Sequence, residues 1–216
     1  EERKCEYVIS SARSMLKWYH DHGFQNTYFM RNGISIENYK NLKPVMLNFS
    51  RPIIGYIGTI SKWIDYETFE FLLKENPSWN FLIYGKTYKN ELSEEFAGIP
   101  NCHFMGTLKP EKVPQTIKAF SAGINLYRKK PWLDVDSMKI YEYLAAGTPV
   151  VSIKYHDHLE EDFEGLLNLA NDANDMNIIL RNIINDKIKI KEPRSFLEKN
   201  TWEQRVKAFY EKIITN

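Results

Sequence analysis

Short apolar segments alternate with helix-like segments along most of this chain, and this alternation is the feature that most limits its possible folds. The apolar segments show little polar alternation, which indicates strands that are buried on both faces of a sheet. Strands that are joined through helices form a parallel sheet with helices on both faces. The sequence therefore predicts an α/β protein with a doubly wound parallel sheet.

The predicted elements can be placed in chain order. The strands are expected at YVIS (7–10), NTYFM (26–30), PIIGYIGTI (52–60), NFLIYG (80–85), HFMG (103–106), SAGINLY (121–127), PVVSI (149–153) and GLLNLA (165–170). The helices are expected at 11–22, 66–75, 91–98, from Pro110 onward, 136–147, 172–186 and 202–214. Residues 42–52 contain two prolines and no periodicity, so they are expected to form a linker.

The composition favours a globular protein without a nucleic-acid partner. The chain has 216 residues, is 43% hydrophobic and carries a formal net charge of +1, which suits one large domain or one domain plus part of another. Its two cysteines, Cys5 and Cys102, lie far apart, which favours a reducing, cytoplasmic setting over a disulfide scaffold. We find neither a signal peptide nor an apolar run that could span a bilayer. The opening EERKCEYV reads as the interior of a longer protein.

Four features follow predicted strand ends, where ligands bind in doubly wound sheets. They are Gly58 to Lys62, Gly85-Lys86, Phe104-Met105-Gly106, and the stretch from Tyr127 to Glu142. The spacing Gly55-x-x-Gly58 lets the backbone approach a ligand closely, and Lys62 can reach a phosphate. The segment is neither a GxGxxG fingerprint nor a Walker A motif, and ordinary turn chemistry is the alternative.

The segment DVDSMKIYEYLAAGTPVVS (134–152) places charges on a helix that is otherwise almost entirely apolar. Asp136 or Ser137 is expected to cap this helix, and its positive dipole end would suit a diphosphate. Lys139 and Glu142 are three residues apart, so they share one face. The lysine could neutralise phosphate while the glutamate accepts hydrogen bonds from ribose hydroxyls. The alternative is a surface Lys–Glu pair.

The same segment carries a family resemblance. Its pattern resembles the signature of family-4 retaining glycosyltransferases of the GT-B fold. The pattern consists of an acid, here Asp134, then seven residues, Glu142 and YLAAGTPVVS. SMKIYEYLAAGTPVV is similar to the form found in bacterial polysaccharide and teichuronic-acid-type enzymes. The resemblance extends along the chain and implies three parts. They are the end of the N-terminal acceptor domain with the linker (1–48), a Rossmann-like donor-binding domain (49–200) and a closing helix (201–216).

The resemblance also implies roles for individual residues. Glu142 would hold the ribose, Asp134 would contact donor-sugar hydroxyls, and Ser137, Met138 and Lys139 would serve the diphosphate. Phe104, Met105 and Gly106 would line the base. Further donor contacts are expected from Gly58, Thr59, Lys62, Gly85, Lys86 and Asp136. The arginine that usually follows the glycine in this family is Thr59 here, and Lys62 is one or two residues out of register.

The implied activity is transfer of a sugar from a UDP- or GDP-type donor to a saccharide or lipid-linked acceptor in surface polysaccharide assembly. No cofactor or metal is expected. The protein would be cytoplasmic, at the inner membrane face if the acceptor is lipid-linked, and the missing acceptor domain would leave this chain inactive alone. The oligomeric state, the base and the sugar stay open.

Three other functions stay open. Asp134-Val135-Asp136 is a DxD sequence, the metal and nucleotide-sugar motif of the GT-A fold. A GT-B sugar-nucleotide epimerase and a non-catalytic nucleotide-binding module are the other two. A zinc site is a weaker hypothesis at His156-Asp157-His158 with Glu160 and Glu161, because a solvated loop explains this cluster more simply.

Overall fold

The computed structural model describes residues 5–87, 96, 98–130 and 134–214, and its centre is a six-stranded parallel sheet. The strands of this sheet are β3 (Ile53–Ile57), β4 (Asn80–Tyr84), β5 (Cys102–Gly106), β6 (Ala122–Asn125), β7 (Val150–Ile153) and β8 (Asn168–Ala170). They lie in the order β5-β4-β3-β6-β7-β8, and every neighbouring pair is parallel. The predicted doubly wound α/β fold is confirmed.

A second, smaller sheet precedes it. Its two parallel strands are β1 (Val8–Ser10) and β2 (Thr27–Phe29), which pair from Val8 with Thr27 to Ser10 with Phe29. The helices described are α1 (Arg13–Asp21), α2 (Tyr66–Glu75), α3 (Val113–Lys118), α4 (Met138–Ala145), α5 (Leu159–Asp162), α6 (Ala173–Ile184), α7 (Arg194–Lys199) and α8 (Trp202–Ile214). Two 3₁₀ turns occupy Ile36–Tyr39 and Pro110–Lys112.

The apolar strands are explained by two cores, one on each face of the large sheet. Successive residues of a strand point to opposite faces, so Phe81 and Ile83 join one core while Leu82 and Tyr84 join the other. Helices α2 and α6 cover the first core, and α3, α4 and α7 cover the second. Burial on both faces is why these strands lack polar alternation.

Two glycines allow the second layer to approach the central strands closely. A Cβ atom on Gly55 in β3 would lie 2.0 Å from the Phe120 ring, and one on Gly123 in β6 would lie 2.8 Å from the Tyr143 ring. Tyr143 belongs to α4, and its hydroxyl accepts a hydrogen bond from the backbone N–H of Ile57 at 2.9 Å. These contacts fix α4 against the middle of the sheet.

The topology places a crevice between β3 and β6. The chain proceeds outward from β3 to β4 and β5, then returns to β6 on the other side of β3 and proceeds outward again. A ligand crevice opens at the carboxyl ends of the strands where this reversal occurs. Strands β3 and β6 and helix α4 border this point.

Several predicted boundaries differ from the structure. The helix expected at 136–147 is shorter, and α5 and α7 were missed because one has four residues and the other six. Most of the helix predicted at 91–98 lies outside the described residues. Residues 42–52 contain no helix or strand, in agreement with a linker. The division into three parts stays a prediction. Among the described residues, no helix has the length and apolar character needed to cross a bilayer.

Candidate functional site

A cleft of about 1250 Å³ opens at the crevice between β3 and β6. Its walls are the loop after β3, the residues after β6 and the start of α4. The predicted site residues that line it are Gly58, Thr59, Lys62, Asp136, Ser137, Met138, Lys139 and Glu142. The structure therefore brings together residues from two of the four predicted strand-end features in one cavity.

Helix α4 begins at the wall of this cleft without a side-chain cap. Ser137 occupies the N-cap position in an extended conformation, but no side chain accepts a capping hydrogen bond there. The predicted cap position is therefore correct for Ser137, but the capping hydrogen bond that the prediction implied is absent. First-turn N–H groups that no side chain satisfies carry the positive end of the helix dipole, which favours an anion.

Lys139 is a buried cation in the first turn of α4, with only 8% of its surface exposed. Its Nζ lies 4.3 Å from the centre of the Tyr127 ring and 5.2 Å from that of Tyr56. It donates long hydrogen bonds to Asn125 Oδ1 (3.4 Å) and Ser137 Oγ (3.5 Å). Burial lowers the pKa of Lys139 to about 8, although the charge of Glu142 acts in the opposite direction. This ammonium is weakly compensated by the protein.

A buried polar network supports Lys139 and was missed in the sequence. Asn125 lies at the end of β6 with none of its surface exposed, and its Nδ2 donates to Ser152 Oγ at 2.9 Å. Its Oδ1 accepts from both Ser137 and Lys139. An asparagine inside the apolar strand AGIN was the signal that could have identified it.

Glu142 lies one turn after Lys139 and lines the same cleft. Burial raises the pKa of Glu142, while the charge of Lys139 and a hydrogen bond from the Tyr39 hydroxyl lower it. Tyr39 ends the 3₁₀ turn that follows β2, so it reaches Glu142 from the segment before the linker. The carboxylate is thus half-buried next to an ammonium, where it can accept hydrogen bonds from a ligand.

The glycines predicted at strand ends lie side by side. Gly58 donates its N–H to Tyr84 O and Gly85 donates its N–H to Gly106 O, both at 2.9 Å. Gly58 has a φ of +146°, and a Cβ atom there would lie 3.1 Å from Lys139 Cε. Glycine at this position therefore keeps the space above Lys139 open.

The other predicted strand-end residues lie along the same edge but outside the large cleft. Gly85 and Lys86 follow β4, which is one strand further out. Phe104, Met105 and Gly106 end β5, which is two strands further out. The side chain of Phe104 lines a small apolar cavity, and Met105 is 38% exposed. Their predicted role at the base stays a prediction.

Asp134 faces helix α1. Its carboxylate accepts hydrogen bonds from the Ser14 N–H (2.8 Å) and hydroxyl (2.5 Å). Ser14 is in the first turn of α1, so Asp134 caps that helix from 120 residues away in the sequence. Its predicted contact with the donor sugar stays a prediction.

Asp136 borders the cleft, but its carboxylate is engaged elsewhere. It accepts from Arg31 Nη2 at 2.9 Å, from the Asn32 N–H at 2.5 Å and from the Tyr141 hydroxyl at 3.1 Å. The geometry gives no support to a donor contact by this side chain. The two acids of the DxD sequence therefore have separate protein partners. In the described ranges no three His, Cys, Asp or Glu residues come together as a metal site.

The loop after β7 was predicted to be solvated, which is correct for Asp157 and His158 but wrong for His156. The Nδ1 atom of His156 is buried and has no hydrogen-bond partner among the described residues. Burial lowers the pKa of His156. Asp162, in the helix that follows, forms two hydrogen bonds with Arg13 at 2.7 and 3.0 Å. This loop thus packs against the N-terminal segment.

Tyr127 and Arg128 also line the cleft, at the start of the predicted stretch from Tyr127 to Glu142, and three aromatic residues line it that the sequence patterns did not single out: Tyr56, Trp63 and Tyr66. The aromatic rings form low-polarity walls around the cations. Lys62 Nζ lies 4.9 Å from the centre of the Trp63 ring. A cleft with aromatic walls, three cations and a free helix N-terminus is suited to a ligand that carries phosphate and rings.

Comparisons with known proteins agree with this description. The chain is 28% identical over 137 residues to TuaH of Bacillus subtilis strain 168, provisionally named a teichuronic acid biosynthesis glycosyltransferase; the match covers 60% of this chain and 34% of TuaH. The structure of Anabaena HepE in complex with UDP and glucose superposes with a TM-score of 0.75 at 16% identity, covering 99% of this chain and 64% of HepE. The structure of a TarM variant of S. aureus in complex with Fondaparinux, alpha-GlcNAc-glycerol and UDP superposes with a TM-score of 0.68 at 15% identity. The match covers 95% of this chain and 43% of TarM.

The chain thus spans about one third of the length of TuaH and less than two thirds of HepE. The structural matches confirm the predicted Rossmann-like fold of a GT-B domain. Residues 51–186 match the family described as "Glycosyl transferases group 1". This match covers more than half of the sequence, and the chain therefore belongs to the family of group 1 glycosyl transferases.

Proposed function

We propose that this chain is the donor-binding part of a glycosyltransferase that passes a sugar from a nucleoside diphosphate to an acceptor hydroxyl in surface polysaccharide synthesis. Family membership supports the reaction class. The name of TuaH supports the polysaccharide product, and the UDP bound to HepE supports the donor class. The rest of the machinery would come from a further part of the protein, since TuaH and HepE are both longer than this chain.

The observation that carries the proposal is the incomplete compensation of Lys139. A buried ammonium with two hydrogen bonds of 3.4 and 3.5 Å and two aromatic faces is costly to keep charged. A phosphate above Gly58 would supply the missing negative charge. The uncapped start of α4 lines the same cleft, so the diphosphate would be held by a lysine and a helix N-terminus together.

This arrangement suits a leaving group. In the transfer step the acceptor oxygen bonds to the anomeric carbon, and the bond from that carbon to the diphosphate oxygen breaks. The electron pair goes to the diphosphate, and the proton of the acceptor hydroxyl is released, so the products are the glycosylated acceptor, the nucleoside diphosphate and one proton. Lys139 and the helix N–H groups stabilise the charge that develops on the diphosphate, and this lowers the barrier without a metal.

Glu142 would fix the nucleoside. Its carboxylate lies on the same stripe of α4 as Lys139 and is held by Tyr39. It can accept hydrogen bonds from both ribose hydroxyls, which orients the nucleotide relative to the diphosphate. Acceptor binding and peripheral association with a membrane would belong to the remainder of the protein.

The experiment is calorimetric titration of this chain with UDP, GDP and ADP, with and without a chelator. We expect one of them to bind regardless of chelator. Lys139→Met and Glu142→Gln should each weaken binding by about 1.5–3 kcal/mol, or roughly 10- to 150-fold, because each removes a charge-assisted contact. The matched controls are Lys74→Met and Glu70→Gln, which alter an exposed Lys–Glu pair on α2 and should change nothing.

The proposed contact between Glu142 and the ribose is tested by comparing a nucleotide with its 2′-deoxy form. The wild-type chain should bind the 2′-deoxy form of its nucleotide more weakly than the ribose form, and Glu142→Gln should abolish this difference. Binding that requires metal would favour a site at Asp134 and Asp136 instead. A folded chain that binds none of the three nucleotides would contradict the proposal, and so would equal losses in the control variants.

A further inference from the structure

Arg128 is held rigidly at the outer wall of the cleft, directly after β6. Its backbone N–H donates to Trp63 O at 2.9 Å, and its Nε donates to Ile64 O at 2.8 Å. The guanidinium carbon lies 5.7 Å from the centre of the Tyr66 ring. One edge and one face of the guanidinium are therefore fixed, and the side chain borders the cleft.

The two terminal nitrogens of this guanidinium have no carboxylate partner among the residues that the structure describes. Several other arginines do have one: Arg13 pairs with Asp162, Arg31 with Asp136, and Arg194 with Glu198. An arginine that is anchored through Nε keeps its two terminal N–H₂ groups as a fork, the geometry that matches a carboxylate or phosphate. Fixing the side chain in advance also reduces the entropy lost on binding.

We infer that Arg128 binds the diphosphate of the donor through this fork, from the β6 side of the cleft. The inference rests on the proposed function, since it names a further residue of the same site. It assigns to the loop after β6 a contact that the resemblance places after the glycine of β3, where this chain has Thr59. The diphosphate would lie between Arg128 on one wall and Lys139 with the α4 N-terminus on the other.

Arg128 is better suited to this contact than Lys62. The Lys62 ammonium packs over the Trp63 ring, and within the described part of the chain no hydrogen bond anchors it as Ile64 O anchors Arg128. A lysine offers a point charge on a flexible stem, while the anchored guanidinium offers two parallel donors. We therefore place Arg128 in direct contact with the diphosphate and Lys62 at the rim of the cleft.

The test measures calorimetric affinities for UDP and UMP, with GDP and GMP as the second pair, in Arg128→Gln and Arg128→Lys. Arg128→Gln should weaken diphosphate binding roughly 10- to 50-fold, as expected when a charged bidentate contact is lost. Monophosphate binding should fall several-fold less. Arg128→Lys should recover only part of the loss, because it restores charge without the fork. The matched control is Lys129→Gln, which removes a neighbouring exposed cation that does not line the cleft.

The outcomes separate this inference from the proposed function. If the wild-type chain binds a nucleoside diphosphate and Arg128→Gln binds it equally well, the role of Arg128 is overturned and the proposed function survives. The two-nitrogen contact is overturned if Arg128→Lys binds the diphosphate as tightly as wild type. It is also overturned if Lys129→Gln loses as much affinity as Arg128→Gln, because positive charge alone would then explain the binding. If a folded wild-type chain binds no nucleotide, the proposed function is overturned together with this inference.

Discussion

Two largely buried cations lie near the start of α4, and their partners within the protein differ. Arg31 meets the carboxylate of Asp136 at 2.9 Å, donates to the backbone carbonyl of Asp162 and packs 4.6 Å from the Phe163 ring centre. Lys139 has aromatic rings, long hydrogen bonds to neutral groups and the more distant charge of Glu142. The first cation is compensated by the fold and joins the N-terminal segment to the large sheet. The second has no ion pair within 4 Å among the described residues, which is why we propose a phosphate as its partner.

The largest expected effect comes from removing Arg31, the cation that is paired with a carboxylate. Arg31→Ala would leave the carboxylate of Asp136 buried with one partner fewer, and it should lower the free energy of unfolding by about 3–5 kcal/mol. Urea denaturation of the two proteins measures this. The control is Lys17→Ala, which alters an exposed ion pair with Asp21 and should cause little change. A loss no larger than the control's would mean that Arg31 does not join the two parts.

Raising the pH should increase the stability of the folded chain, because it removes the charge of the buried Lys139. The pKa of Lys139 is about 8 in the folded chain and near 10.5 when unfolded, so between these values the unfolded state binds more protons. Stability contributed by Lys139 should therefore rise with pH across this window, by on the order of 3 kcal/mol, and be constant below pH 8. The free energy of unfolding is measured from pH 7 to 10 for the wild-type chain and for Lys139→Met, in which no lysine titrates at this position. The difference between the two proteins isolates the contribution of Lys139. A difference that does not change with pH would contradict the depressed pKa.

Nucleotide binding should depend on pH in the opposite direction. A diphosphate favours the charged form of Lys139, so affinity should decrease as pH rises through about 8. Lys139→Met should bind weakly at every pH in this range and show a flatter profile. Titrations with UDP and GDP at pH 7 and 9 measure both slopes, and parallel slopes would place the titrating group elsewhere.

The smallest effect concerns the cap that Asp134 provides to α1. Ser14→Ala removes the hydroxyl at 2.5 Å but keeps the N–H contact, so it should cost about 0.5–1.5 kcal/mol of stability. Asp134→Asn in the same background should add little, because the two changes act on one contact. Urea denaturation of the two single variants and the double variant forms the cycle. Full additivity would show that Asp134 and Ser14 do not interact.

The comparison also shows how much of the molecule the sequence could predict. The alternation of apolar strands and helices was sufficient for the fold, since burial on both faces leaves a local signature. Lys139 and Glu142 were identifiable for a similar reason, because charges on an apolar helix need partners. The role of Asp136 was not predictable. Its partner Arg31 is 105 residues away in the sequence, and no local pattern records which carboxylate that arginine reaches.

Arg128 and Asn125 show the same limit within the site. Arg128 fell within the stretch from Tyr127 to Glu142 and in a basic cluster with Lys129 and Lys130, but no role could be assigned to it, because its anchor at Ile64 O lies 64 residues earlier in the sequence. Asn125 differs from its neighbours only in being polar inside a strand. Patterns of burial are local and can be read directly, whereas the direction in which a polar group points is set by contacts between distant segments.

The absence of a side chain at Gly58 affects how far the electric field of Lys139 extends out of the cleft. Aromatic walls of low dielectric constant border Lys139, so its electric field is concentrated toward the opening that Gly58 maintains. Mobile ions shield such an enclosed charge far less than they shield an exposed lysine. Long-range attraction of an anion to this cleft should thus weaken with added salt, while the contact at its floor should persist.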